Sequence, residues 1–354
     1  MSNWKFFLAD SSNLELQKDI TGEARDKQIS LSYNRSGSCS FTLPLNESNY
    51  DNTLSNNKAV VVIKNNSIVW SGPIWSRSID FNEEKIEVNA VGWFEILMYR
   101  IAYAPKTYSS ATWTEGAIAF DLLDMANNDL DTWISQGTDT STTPRTKQIE
   151  TFMSIGEEII NLSDIEYGFD FYVDPETREL NIKEYNEFAD NTNIAFGYNW
   201  GPNNVSNFVI EENGGEMRNR YIVAGGDGVA YSYPNSSGQP TSPSQLQNNL
   251  LIEVLQLTEQ SDSTFLQAVA NANGQIKEFP VTNLEISLKP FGKANPYGIY
   301  EHFEVGDKIY FTIQKEIGKK LLILEYSPRI FGATINIDEE GREIVSSLQT
   351  TFEN

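Results

Sequence analysis

The sequence predicts a β-rich α+β fold: two β-barrel domains, with an α+β domain inserted into the first. Three observations support this reading. Alternating and β-branched runs recur through residues 1–104 and again through 250–354. Helical periodicity interrupts them between Pro105 and Trp200. A Pro-, Gly- and Ser-rich stretch from Tyr231 to Gln247 divides the chain. The expected division is a first β-barrel from residues 1–104 together with 205–230, an inserted α+β domain at 105–204, a linker or long loop at 231–249, and a second β-barrel with a helix at 250–354. With 354 residues, 40% of them hydrophobic, the chain is long enough for two or three domains with their own cores.

The elements follow in order. Trp4-Lys5-Phe6-Phe7-Leu8 reads as a strand, and Gln28 to Tyr33 followed by Gly37 to Leu45 reads as a hairpin with a loose turn. Lys58 to Ile63 is β-branched, Asn65-Asn66 tolerates the positive φ of a two-residue turn, and Ser67 to Ile74 returns as its partner. Lys85 to Val91 alternates polar and apolar residues, and Gly92-Trp93-Phe94-Glu95-Ile96-Leu97 then takes helical spacing up to Arg100. Together these runs suggest a barrel of about six or seven strands.

In the insert, helices are expected at Glu115 to Ala126 and at Ile149 to Leu162, the second burying Ile149, Phe152, Met153, Ile159, Ile160 and Leu162. A hairpin follows, Phe169 to Val173 against Glu179 to Lys183, turning through Asp174-Pro175-Glu176-Thr177-Arg178. Val205 to Ile210 and Arg220 to Ala224 read as strands returning to the first barrel, with Glu211 to Asn219 between them as a polar turn or short helix. Beyond the divide come an apolar stretch at Leu250 to Leu257 and a helix from Ser263 to about Phe279, capped by Ser261 or Asp262. Strands at Leu284 to Leu288, Lys308 to Ile313, Leu321 to Tyr326, Ile330 to Ile337 and Ile344 to Phe352 complete the second barrel.

The chemistry-bearing residues are sparse. A net charge of -23, from 49 acidic and 26 basic residues, argues against a basic groove gripping phosphates and suits solubility or an acidic host cytoplasm. Cys39 is the single cysteine, so intrachain disulfides are excluded, and its alternating context suits a small buried hydrophobe. There is no apolar span of bilayer length, so the chain is expected to be cytosolic when made and to have no stable membrane insertion. His302 is the sole histidine; a surface or interface imidazole is the expectation, and no catalytic triad can be built. Gly225-Gly226-Asp227-Gly228 reads as a tight turn rather than a phosphate loop. Paired carboxylates at Glu83-Glu84, Glu157-Glu158, Glu211-Glu212 and Glu339-Glu340 suit turns and solvated faces, although a glycosidase needs only two such groups. Asp170, Asp174 and Glu176 lack the glycine and distal glutamate of a calcium loop. Trp113, Trp133, Tyr198 and Trp200 suit packing or subunit contacts better than sugar stacking.

Ser38-Cys39-Ser40-Phe41-Thr42-Leu43-Pro44, the hairpin carrying Trp70-Ser71-Gly72-Pro73, and Val91-Gly92-Trp93-Phe94-Glu95-Ile96-Leu97 with Arg100 resemble, in that order, the N-terminal part of tail-tip hub proteins of long-tailed phages. That family includes the hub region of tail-associated lysins and is similar to the baseplate hub of contractile tails. Tyr167 to Pro175, Asn219 to Gly226, Ser261-Asp262 and Val305-Gly306-Asp307 continue the resemblance over nearly the whole chain. It implies hub-type barrels and a non-enzymatic homotrimer at the virion tail tip, assembled in the host cytoplasm. The implied partners are the distal tail protein and tail tube protein rings, tail fibre or receptor-binding proteins, and the tape measure protein. DNA would pass through the lumen without tight binding. Catalytic, cofactor and metal residues are expected to be absent, as is a lytic domain after the second barrel. The alternative is a carbohydrate-binding or glycoside-hydrolysing tail protein that uses paired carboxylates.

Overall fold

The computed structural model describes residues 4–53, 58–128, 130–164, 168–184, 187, 189–213, 220–226, 228–232, 253–258, 263–272 and 281–351. The first strands are β1 (Trp4–Asp10), β2 (Leu16–Asp19), β3 (Arg25–Ser32), β4 (Ser38–Pro44), β5 (Lys58–Lys64), β6 (Ser67–Asp80) and β7 (Lys85–Val91), with helix α1 (Glu47–Asn52) after β4. Alternation sets their faces: Trp4, Phe6 and Leu8 point inward from β1, as do Ile86, Val88 and Ala90 from β7. Asn65 and Asn66 take φ of 51° and 71°, which closes the β5–β6 hairpin as its sequence predicts. β6 is shared, pairing through its first half with β5 and through its second half with β7. At the changeover a Cβ on Gly72 would lie 1.8 Å from the Val91 carbonyl oxygen, so glycine is required there.

After α2 (Glu95–Met98), the segment expected as the inserted domain holds β8 (Lys106–Tyr108), α3 (Glu115–Asn127), β9 (Ser135–Asp139), β10 (Lys147–Ile149), α4 (Ile155–Ser163), β11 (Asp170–Val173) and β12 (Glu179–Lys183). Thr114 caps α3 by accepting the Ala117 N–H, and Ser154 caps α4 by accepting the Glu157 N–H. The second helix therefore starts six residues later than its periodicity suggests, and residues 147–149 are instead a strand beside β8. Ile118, Leu122, Ile159, Phe171 and Leu180 share one core with Trp93 and Leu97, so the insert packs directly on the end of the N-terminal sheet.

The remaining elements are β13 (Asp190–Tyr198), β14 (Val205–Asn213), β15 (Arg220–Gly225), β16 (Gly228–Ser232), β17 (Glu253–Thr258), α5 (Ser263–Ala272), β18 (Val281–Leu288), β19 (Lys308–Ile317), β20 (Lys320–Tyr326), β21 (Arg329–Ile337) and β22 (Glu343–Thr351). They correct two expectations. Residues 205–213 do not return to the N-terminal strands: β14 pairs with β18, because Phe208 and Ile210 pack onto the C-terminal half of the core. Residues 220–225 form the centre of a separate sheet ordered β16-β15-β17, and α5 covers it through Leu266 and Ala270 against Tyr221 and Val223. The helix expected in the second barrel belongs to this small unit.

The two barrels are also not closed among the described residues. β3 pairs with β21 over Lys27 to Ser32, joining both halves into one 14-stranded sheet with a single continuous core. A strand edge that a closed barrel would satisfy internally is here satisfied by the other half of the chain. The buried Lys64–Glu343 ion pair, at 2.7 Å, ties the halves again, and Asp170 with Arg329, at 2.5 Å, ties the insert to the C-terminal half. The expected linker at 231–249 lies, beyond Ser232, outside the described residues, as do the cap at 261–262 and residues 273–279 of the expected helix.

Candidate functional site

The residues with chemical potential are held apart. Glu83-Glu84 sit in the β6–β7 turn and Glu339-Glu340 in the β21–β22 turn, at the same end of the sheet, with β3 and β4 between β7 and β21. Three strand spacings make roughly 14 Å, whereas glycosidase carboxyls stand about 5 to 9.5 Å apart. Glu339 is engaged by Arg25 and Glu340 by Arg342. Glu158 is buried against Lys147 at 2.9 Å, while Glu157 is exposed at the start of α4. Glu211 and Glu212 are exposed on β14.

His302 Nδ1 accepts the Gly298 N–H at 3.1 Å, so the imidazole organises a turn. Cys39 is buried, and burial pushes its thiol far up from the ordinary range, so it is no reactive thiolate. Asp170 bonds Asn34 and Arg329, and Asp174 accepts the Glu176 and Thr177 N–H groups of its turn. Among the described residues no group of three or more His, Cys, Asp and Glu is placed to hold a metal ion. The aromatics are dispersed: Trp113 stands edge-on to Tyr108, Trp133 edge-on to Trp93, and Tyr198 edge-on to Phe208, while Trp200 is exposed.

A cavity of about 480 Å³ lies where both halves and the insert meet, with Tyr33, Trp70, Tyr172, Lys183, Tyr300 and Glu304 among its lining residues. Partial burial raises the Glu304 carboxyl above its ordinary value, and burial raises the Tyr300 phenol.

Two sets of exposed apolar residues were not singled out by sequence reasoning. The first is aromatic. Residues 101–103 run antiparallel to 152–154 through the Phe152 N–H to Ala102 carbonyl bond (2.7 Å) and the Ala102 N–H to Met153 carbonyl bond (3.0 Å). Tyr99, Ile101, Tyr103 and Phe152 are each exposed, and the Trp75 ring lies tilted 5.2 Å from that of Tyr99. Phe152, expected in the core, is 74% exposed and holds φ at +69°, a conformation costly for a residue with a side chain. The alternation Tyr99-x-Ile101-x-Tyr103 was the available signal. The second set is in the β19–β20 hairpin: Ile317 is exposed on the face of Lys315 and Lys320, and Leu321 and Ile323 are exposed on the opposite face, with Gln314 and Glu316.

Comparison with known proteins agrees with this architecture. No family model matches the sequence, and no curated protein matches it. Among solved structures the fold is similar to a tail protein from Neisseria meningitidis MC58, at 10% identity and a TM-score of 0.58, covering 99% of this chain and 97% of that one. It is similar also to the 43 kDa tail protein of prophage MuSo2 from Shewanella oneidensis, at 13% identity and a TM-score of 0.59, covering 97% and 98%. The prophage tail protein gp18 from Listeria monocytogenes EGD-e matches at 13% identity and a TM-score of 0.54, covering 99% and 94%. The chain thus has the fold of phage tail proteins from end to end.

Proposed function

We propose that the chain is a structural, non-enzymatic subunit of a phage or phage-like tail tip: a hub protein whose three copies form a ring. The ring would join the tail tube and distal tail protein to host-recognition parts and surround the DNA exit channel. The observation that supports this most is the correspondence over 97% or more of the chain to tail proteins of matching length. In this reading each subunit offers two β units, residues 1–104 and the C-terminal strands, so that three copies present six β units to hexameric neighbours.

Native mass spectrometry of the purified protein, alone and with its distal tail neighbour, is the test, and a trimer is the expected result. A species that stays monomeric both free and inside isolated tail tips would overturn the proposal. Part of the -23 charge is expected to face the lumen of the ring, where carboxylates repel phosphates over roughly 8 Å at physiological salt. A basic channel wall in the trimer would remove that part alone. The glycan-directed alternative rests on the junction cavity, where Asp174 and Glu304 accompany Trp70 and Tyr172. Cell-wall or capsule glycan cleaved by the wild-type chain and left intact by Glu304→Gln would favour it.

A further inference from the structure

We infer that Lys64 and Glu343 are the reactants of a spontaneous isopeptide bond, a covalent modification that staples the N-terminal half of the chain to the C-terminal half. Lys64 ends β5 and Glu343 opens β22, 279 residues apart in sequence. Neither side chain has exposed surface, and Lys64 Nζ stands 2.7 Å from Glu343 Oε2. Three further contacts supply what amide formation needs and an ion pair does not. First, Ile299 holds both partners: its carbonyl accepts from Lys64 Nζ, and its N–H donates to Glu343 Oε1 at 2.9 Å. That N–H meets the oxygen on which negative charge gathers when the carboxyl carbon becomes tetrahedral. Second, another carboxylate, Glu301 Oε1, lies 3.5 Å from Nζ, and its side chain is 24% exposed, so it links the buried pair to solvent. Asn65 Nδ2 donates to the same oxygen at 3.3 Å and steadies it. Third, the Trp4 ring, 5.0 Å from Nζ, walls the site on its apolar side, while Lys64, Asn65 and Tyr300 line the junction cavity.

The step balances within these groups. Two charges held out of water are costly, and proton transfer along the 2.7 Å bond turns ammonium and carboxylate into amine and carboxylic acid. The Nζ lone pair attacks Glu343 Cδ, a C–N bond forms, and the carbonyl electron pair moves to Oε1, where the Ile299 N–H receives it. Glu301 takes a proton from the nitrogen and delivers it to the Oε2 hydroxyl. The Cδ–Oε2 bond breaks, the Oε1 carbonyl re-forms, and one water leaves through the cavity. Amine and carboxylic acid become amide and water, and no other reactant is consumed. Holding both groups in contact supplies the rate, because well-oriented partners react with an effective molarity of about 10⁵ M or more. The resulting amide closes a long loop and restricts the unfolded chain, so it locks together the two halves that the β3–β21 ladder already joins.

Intact-mass spectrometry of the full chain under denaturing conditions is the test. The wild-type protein is expected to be one water lighter than its sequence mass. Fragmentation of a protease digest should place that loss in a branched peptide joining residues 64 and 343. Lys64→Arg keeps the positive charge beside Glu343 but has no amine to condense, and it should show the full mass of its own sequence. Glu301→Gln lies outside the buried pair; with its fold checked by circular dichroism, it should reach the lighter form about a hundredfold more slowly. A wild-type chain that keeps its full sequence mass after prolonged warm incubation would overturn the proposal. So would a water loss that fragmentation places elsewhere, as in a succinimide at an aspartate. Condensation of Glu301→Gln at the wild-type rate would overturn the role given to Glu301 and leave the amide itself supported.

Discussion

Lys64 and Glu343 show how much one residue pair can decide in this molecule. Both are buried. Lys64 Nζ bonds Glu343 Oε2 and the Ile299 carbonyl and lies 5.0 Å from the Trp4 ring centroid, while Glu343 Oε1 accepts the Ile299 N–H at 2.9 Å. Lys64→Met leaves a buried carboxylate without its counter-charge, and the expected loss is about 3–5 kcal/mol in urea unfolding. The double variant Lys64→Met with Glu343→Gln should lose clearly less than the sum of the two singles; additivity would show that the charges do not act as a pair. Glu115 gives a pH signature. Burial, opposed by Arg145 at 2.9 Å, pushes its carboxyl up from 4.5 to about 7. A folded-state value above the unfolded one contributes stability that is full below the unfolded value and lost as pH rises through the folded one. The melting temperature should therefore fall between about pH 4.5 and about pH 7, and Glu115→Gln should flatten that slope. An unchanged slope in the variant would assign the dependence to other groups.

At the scale of elements, the turn from residue 150 to 153 shows how a helix cap decides which side chains are buried. Ser154 starts α4 late, and the preceding chain places Phe152 in solvent at positive φ. A left-handed residue with a Cβ costs about 1–2 kcal/mol, so Phe152→Gly should keep or raise the melting temperature in thermal unfolding. A lowered melting temperature would mean that the ring packs within its own subunit instead. The same turn explains why helical periodicity from Ile149 misled: Ile149, Ile159 and Leu162 are buried as expected, but the first comes from a strand and the others from a helix, with a cap between them.

For the whole molecule, the ladder from β3 to β21 is the decisive feature. Six register pairs, Lys27 with Ile337 through Ser32 with Gly332, cross between segments about 300 residues apart in sequence. Neither half can keep its sheet edge satisfied alone, so both should unfold together. Urea transitions followed by far-ultraviolet circular dichroism and by tryptophan fluorescence are expected to coincide. Two resolved transitions would mean that the halves are independent units, as separate closed barrels would be.

The sequence alone determined what is local. Strand alternation at 4–10 and 85–91, the Asn65-Asn66 turn, the hairpin through Asp174 to Arg178 and the helix from Glu115 all follow from side-chain period, φ tolerance and capping, which act over a few residues. The residue inventory likewise determined that one cysteine and one histidine leave little to build a catalytic or metal centre from. Only the tertiary structure decided which strands pair across long separations: β14 with β18 rather than with the first strands, β15 into a sheet of its own, and β3 with β21 in place of two closed barrels. It also decided that Phe152 faces solvent and that Lys64 and Glu343 meet in the core. The reason is physical. Alternation fixes which face of a strand is apolar but leaves its hydrogen-bonding edges unassigned, and those edges are satisfied by whichever partner the shared core brings alongside.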